Sequence, residues 1–307
     1  MKKDTKLFTK PLFVCGVALL CCLLWGSAFP CIKIGYRLFE IPGEDTMSQM
    51  VFAGYRFTLA GIMVILIGSL VKGHFLRPAS SSWFMVVKLG LVQTILQYVF
   101  FYTGLAHTTG VKSSIISASN VFITLFLSAA AFREKLSARK LAGCLVGFAG
   151  VVLINLTGSG LDLNLSLAGE GSILVSAFAG AVSSVMIKHY SSREDTFVLC
   201  GYQFFFGGII LALIGLACGG RVTGFTPVSS LLLLYMGLIS AVAYSMWSFL
   251  LKYNPVGKVA IFGFSNPVFG VILSALLLGE KNQAFTMQGL AALVLVCGGI
   301  LLVNKSK

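Results

Sequence analysis

Arg56 sits where a charge is hardest to keep, nine residues into a stretch that begins near residue 47 and holds no other charge before Lys72. On a helix rising 1.5 Å per residue that is about 13 Å deep, and an arginine facing lipid near the bilayer centre costs at least ~2.5 kcal/mol. It therefore faces a cavity or an internal partner. A guanidinium presents a paired donor fork, so one reading is a clamp for a substrate carboxylate. The other is a structural arginine, bonded to backbone carbonyls or reaching the outer headgroups. Gln203, preceded by Tyr202, takes the equivalent place later in the chain.

A polar stripe accompanies it. Gln93 and Gln97 are four apart and share a helix face, followed by Tyr98 and Tyr102; the equivalent later positions hold Ser240 and Tyr244, with Ser245, Trp247 and Ser248 nearby. Hydrogen bonding between helices would account for such groups at about 0.6 kcal/mol each. A cavity wall mixing polar groups with aromatic surface accounts for them equally, that being the usual make-up of a small-molecule site. Ser113, Ser117, Asn120 and Thr124 recur at helical spacing, matched later by Val259, Gly263, Asn266 and Gly270. Asn120 and Asn266 stand about half a span in, where they either contact substrate or pack two helices closely. Pro267 and Pro30 are expected to kink their helices, since proline removes a backbone hydrogen bond, and are candidate hinges.

These groups suit binding rather than catalysis. All ten acids and His74, His107 and His189 lie in loops or at span ends, so an integral-membrane enzyme, with its paired carboxylates, His/Asp constellation or metal site, is disfavoured. Proton coupling through an interior acid or histidine is disfavoured for the same reason. That leaves exchange, facilitated export, or coupling through an end-lying group such as Glu134 or Glu280. The eight cysteines fall in or beside spans without metal-ligand or disulfide spacing and read as small apolar residues. Residues 104–112 (GLAHTTGVK) have the wrong spacing for a phosphate-binding loop. No cofactor or metal is expected.

The elements that hold these residues follow from composition. With 57% hydrophobic residues, 11% charged and a mean hydropathy of +0.93, the chain is a membrane protein; soluble domains carry about 25% charged residues. Its 307 residues accommodate about ten spans of roughly 20 residues, placed near 12–35, 47–71, 83–106, 113–132, 140–156, 169–187, 197–217, 229–251, 257–278 and 286–303. The first follows Lys2, Lys3, Lys6 and Lys10 and resembles a signal peptide, but its apolar run continues through Trp25-Gly26-Ser27 to Pro30, so it is expected to be retained.

The chain repeats itself. Lys112–Gly143 matches Lys258–Gly289 at 11 of 32 positions, among them Ser119-Asn120 with Ser265-Asn266 and Glu134-Lys135 with Glu280-Lys281; Gly54–Gly68 matches Gly201–Gly215 at 8 of 15. Shared Asn, Glu and Lys are not a consequence of apolar composition. Two copies of five spans, residues 1–156 and 169–307 joined by a polar 157–168 linker, must enter the membrane from opposite sides. The expected fold is thus all-α, ten transmembrane helices as two inverted five-helix repeats, an architecture of secondary transporters with a site near the midplane. Positive residues concentrate in cytoplasmic loops: with the N-terminus inside, 16 lysines and arginines fall on the cytoplasmic side and four outside, with Lys33, Arg56 and Lys88 left within spans. Both termini are then cytoplasmic. The net charge of +13 is mostly this signal, with some attraction to membrane lipids, and needs no nucleic acid.

Trp25-Gly26-Ser27 in the first span, Arg56-Phe57 in the second and Leu278-Gly279-Glu280 ending the ninth, on two five-span repeats, resemble the EamA branch of the drug/metabolite transporter superfamily. Phe132-Arg133-Glu134 departs from that pattern, with arginine where glycine usually precedes the glutamate. The resemblance implies export or exchange of small metabolites, amino acids among them, across the cell membrane; a flippase for a lipid-linked intermediate would share the fold. On this reading Trp25, Arg56, Gln93, Gln97, Tyr98, Asn120, Tyr202, Gln203, Ser240, Tyr244, Trp247 and Asn266 contact a small-molecule substrate.

Overall fold

The structure is a computed structural model that describes residues 7–108, 110–134, 136–155, 166–278 and 287–304. Among these it is helical throughout, with no strand. Helix α1 is Pro11–Leu38 and α2 Thr46–Lys72. A third run passes from a 3-10 turn at Ser80–Ser82 through α3 (Trp83–Leu89) and a π-helical segment (Gly90–Leu96) into α4 (Gln97–Ala106). Then come α5 (Gly110–Ala118), α6 (Asn120–Phe132) and α7 (Ala138–Asn155). After a π turn at Leu167–Gly171 the chain continues as α8 (Ser172–Tyr190), α9 (Thr196–Ala217) and α10 (Pro227–Tyr253). Helix α11 (Val256–Ala260) leads through a 3-10 turn (Ile261–Phe264) into α12 (Ser265–Leu278), and α13 is Met287–Asn304.

Among the described residues, eight helical runs are long and apolar enough to cross a membrane: Pro11–Leu38, Thr46–Lys72, Ser80–Ala106, Ile115–Phe132, Leu167–Tyr190, Thr196–Ala217, Pro227–Tyr253 and Val256–Leu277. Their starts are set by local chemistry. Asp45 accepts the Ser48 N–H at 3.0 Å and the Ser48 hydroxyl at 2.6 Å at the head of α2, two donors that also hold its carboxyl below the usual carboxylate range. Asp195 accepts the Phe197 N–H at 2.8 Å for α9, and Thr226 forms a capping box with Ser229 for α10.

The helices pack by exchange between the two sequence copies. Helix α2 lies along α9, running antiparallel to it: a Cβ added at Gly61 would sit 2.4 Å from the Phe205 nitrogen, and one at Gly208 would sit 2.4 Å from the Thr58 nitrogen. At the offset of 147 that aligns the copies, these are the same contact with the copies swapped. The first helix of each copy follows the same rule. Helix α1 packs on α10 and α12, while α8 packs on α4 and α6. Helices α7 and α13 pack on each other.

Connections gather at two ends. At one, Lys72 pairs with Asp195 at 2.8 Å, Lys188 Nζ donates to the Lys252 and Asn254 carbonyls, Glu134 accepts the Val256 N–H at 2.9 Å, and Asn254 Nδ2 donates to the Phe8 carbonyl. At the other, the Arg221 N–H donates to Ser48 Oγ, Gly224 lies against the Leu38 carbonyl, and Thr108 Oγ1 donates to Glu170. Among the described residues, most of the lysines and arginines outside the helix interiors lie at the first of these ends.

Helix α1 stays helical through Pro30, an interior position, and Pro267 is the third residue of α12, directly after a 3-10 turn, next to which its missing N–H removes a backbone hydrogen bond. The interruptions lie upstream, at Ser119 in one copy and at Ile261–Phe264 in the other. Both immediately precede or include the matched Ser-Asn pairs, and the first copy breaks there without a proline. Residues 157–165 of the expected linker, and Gly279 and Glu280, lie outside the described residues.

Candidate functional site

Arg56 is buried, 4% exposed, at the meeting of α2 and α10. Its Nε donates to Ser240 Oγ at 3.0 Å, and Ser240 in turn donates to the Met236 carbonyl. Its Cζ lies 5.2 Å from the centre of the Phe57 ring, a cation held against a π face. No carboxylate reaches it among the described residues. Among the described residues Arg56 bonds one hydroxyl and lies against one ring, and no backbone carbonyl bonds to it.

Around it the two halves meet directly. The hydroxyls of Tyr98 and Tyr244, one from each copy, are 2.7 Å apart. Tyr98 lies on Phe57 (ring centres 4.4 Å) and Tyr244 on Phe204 (4.9 Å), and the two phenylalanines, matched positions, stack at 5.3 Å. Trp25 packs edge-on against both Tyr244 and Trp247, at 5.0 Å each. The polar faces expected to stand apart as cavity walls therefore touch. Two clefts of about 480 and 460 Å³ lie elsewhere, one an apolar groove beside Tyr55, Thr58 and Phe225, the other at the basic end.

Among the described residues, several polar side-chain atoms on these helices are buried without a partner: Trp25 Nε1, Tyr36 Oη, Gln93 Oε1, Gln203 Nε2, Ser245 Oγ and Asn266 Oδ1. Each such group costs about 1–3 kcal/mol unless something bonds to it, so each is open to a ligand or an ordered water. Gln93 lies in the π-helical segment, a winding that frequently marks functional sites. Gln203 accepts from Thr94 Oγ1 at 2.7 Å. Asn120 Nδ2 donates to the Ala177 carbonyl at 2.7 Å, and both Asn120 and Gln97 crowd Gly180, where an added Cβ would meet Asn120 Nδ2 at 2.8 Å.

The structure thus joins Trp25, Arg56, Tyr98, Ser240, Tyr244 and Trp247 in one cluster and places Gln97 with Asn120 beside Gly180. Tyr202 does not join them. Its hydroxyl donates to the Leu76 carbonyl at 2.9 Å and its ring meets Trp83, because a one-residue step along α9 turns it away from Gln203. Sequence reasoning missed Thr94, Tyr36 and Gly180 as site residues. The sixth-span sequence Met186-Ile187-Lys188, set against Cys31-Ile32-Lys33, puts Gly180 opposite Trp25 and offered a signal for the last; Tyr36 carried none.

Tyr244→Phe is expected to cost about 1 kcal/mol of stability or ligand affinity, as is Tyr98→Phe. Because one hydroxyl pair is involved, a double-mutant cycle should give a double variant no worse than either single one. Additive losses would mean that each hydroxyl has its own partner.

Comparison with known proteins adds the family context. A model of the EamA-like transporter family matches residues 12–156 and again 167–305. A protein of Archaeoglobus fulgidus described as an uncharacterized transporter is 30% identical over 288 residues, 92% of this chain and 94% of its own. A probable amino-acid metabolite efflux pump of Escherichia coli is 25% identical over 298 residues, covering 92% of each chain. A solved crystal structure superimposes with a TM-score of 0.79 at 18% identity, over 96% of this chain and 99% of the other, a likeness of fold alone.

Proposed function

Because this chain belongs to the EamA-like transporter family and is a multi-pass membrane protein, we propose that it is a secondary transporter of the cell membrane that exports or exchanges small carboxylate-bearing metabolites, amino-acid-like solutes among them. The observation that carries the substrate class is Arg56, a buried cation without a carboxylate partner among the described residues. Burying a charge is expensive unless it is paired, and a ligand carboxylate would complete the pair. Trp25, Tyr244 and Trp247 supply aromatic surface for the rest of the solute. The amino-acid description of the Escherichia coli relative agrees with that class.

The proposed mechanism is alternating access between two inverted five-helix repeats. On this reading the 18-residue α7 and α13, each about 27 Å long, are taken as spans beside the eight long ones. The exchange of equivalent contacts between α2 and α9 supports a two-fold relation between the copies, and their antiparallel course supports the inversion. In such a pair, opening one side and opening the other are the same motion with the copies swapped, so the two states have similar energy. Contact between Tyr98 and Tyr244 makes the present arrangement closed at the centre. The basic end is assigned to the cytoplasm on the positive-inside rule, with both termini there.

Counterflow in proteoliposomes tests the reading. Vesicles loaded with unlabelled amino acids are expected to accumulate labelled solute saturably, without an imposed ion gradient. Absence of counterflow across a panel of amino acids and other small carboxylates, with translocation of a lipid-linked substrate instead, would replace it by the flippase reading.

A further inference from the structure

Lys88 is the charge that the transport site leaves unexplained. It stands one and a half turns into the third span, on a face shared with Phe84, Val87 and Leu91, which are 68%, 60% and 54% exposed. That face looks toward lipid, and a lysine exposed on it is costly unless its stem runs back to the headgroup layer. The side chain does run back: Nζ lies 4.1 Å from the centre of the Phe84 ring, one turn nearer the basic end. There it lines a cleft of about 460 Å³ with Ser81, Ser82, Tyr190 and Arg193.

The nearby acids are occupied elsewhere. Glu194 accepts the Ala79 and Asp195 N–H groups, and Asp195 pairs with Lys72 at 2.8 Å. Lys88 and Arg193 therefore face one cleft with no carboxylate partner among the described residues, alongside three hydroxyls. Two cations and several donors around a space of that size suit a phosphate group. The geometry points to a binding site for the phosphodiester headgroup of an anionic phospholipid, with its acyl chains lying along Phe84, Val87 and Leu91. A soluble phosphate would satisfy the cations equally but would leave the adjoining apolar strip unused, and the position of Trp83 beside the cleft, 40% exposed, is that of an aromatic residue at a membrane interface. Basic pockets between helices at this level recognise anionic headgroups. The site lies apart from Arg56 and its existence does not depend on what is transported.

Thermal unfolding of the purified full chain in neutral detergent tests it, with phosphatidylglycerol, phosphatidylcholine or inorganic phosphate added. Phosphatidylglycerol is expected to raise the midpoint by several degrees beyond phosphatidylcholine, and inorganic phosphate to do nothing. The double variant Lys88→Gln/Arg193→Gln should lose most of that difference while melting like the parent in phosphatidylcholine. Arg139→Gln, which removes an exposed charge at the same end away from the cleft, should keep it. Equal shifts from both lipids, full retention by the double variant, or equal loss in Arg139→Gln would overturn the site. A full shift from inorganic phosphate alone would overturn the lipid assignment.

Discussion

Arg56→Lys is expected to weaken binding of a carboxylate-bearing solute roughly thirtyfold, an effect of about 2 kcal/mol, while the protein remains folded. Lysine keeps the charge but loses the planar fork and the Nε–H that Ser240 accepts at 3.0 Å. Competition binding with purified protein, set beside its melting curve, separates the outcomes. Unchanged affinity in a folded Arg56→Lys protein would remove the carboxylate clamp. Loss of folded protein would assign the arginine to structure, tying α2 to α10. Arg56→Gln removes the charge as well and should abolish counterflow.

The second large effect is structural. Gly208→Leu is expected to destabilise the protein by more than ~3 kcal/mol, beyond the usual cost of overpacking a core, and to abolish recovery of monodisperse protein. The reason is that the added Cβ would meet the Thr58 backbone nitrogen at 2.4 Å and Thr58 Oγ1 at 2.7 Å, so two helix backbones would have to separate. Gly61→Leu should behave alike, being the same contact with the copies exchanged. Gly16→Leu is the comparison, since nothing lies within 4 Å of a Cβ there, and it should leave yield and melting unchanged. Normal folding of Gly208→Leu would contradict the close α2–α9 approach on which the symmetry between copies rests.

Much of this architecture is legible in the sequence, and for a definite reason. Hydrophobic runs must match the bilayer, so the expected spans agree with the helices to within about a turn, and matched polar residues such as Ser119-Asn120 and Ser265-Asn266 expose the repeat. Arg56 and Ser240 could each be marked as exceptional, because a polar side chain in a long apolar run has few bland explanations. Their contact could not. It joins residues 184 apart and depends on how α2 and α10 cross, which spacing within either helix does not encode. The break at Ser119 was hidden for a similar reason: no proline or glycine marks it, and tertiary packing overrides local propensity. Pro267 does stand beside the interruption in the second copy, while Pro30 lies inside a helix assigned without one, so proline alone does not locate the breaks. Tyr202 shows the limit of reading by neighbourhood, since residues adjacent in sequence point to different sides of a helix.

The central claim, one closed site where the two halves meet that recognises a carboxylate, is tested most directly by titrating the purified protein with an amino acid and with the amine that lacks its carboxylate, following tryptophan fluorescence. Trp25 and Trp247 lie in the cluster and Trp83 outside it. The amino acid is expected to give a saturable change that Trp25→Phe reduces and Arg56→Lys shifts to at least tenfold higher concentration, while the amine gives none. An amine that binds as tightly as its amino acid, or an Arg56→Lys titration that overlays the parent, would contradict the account.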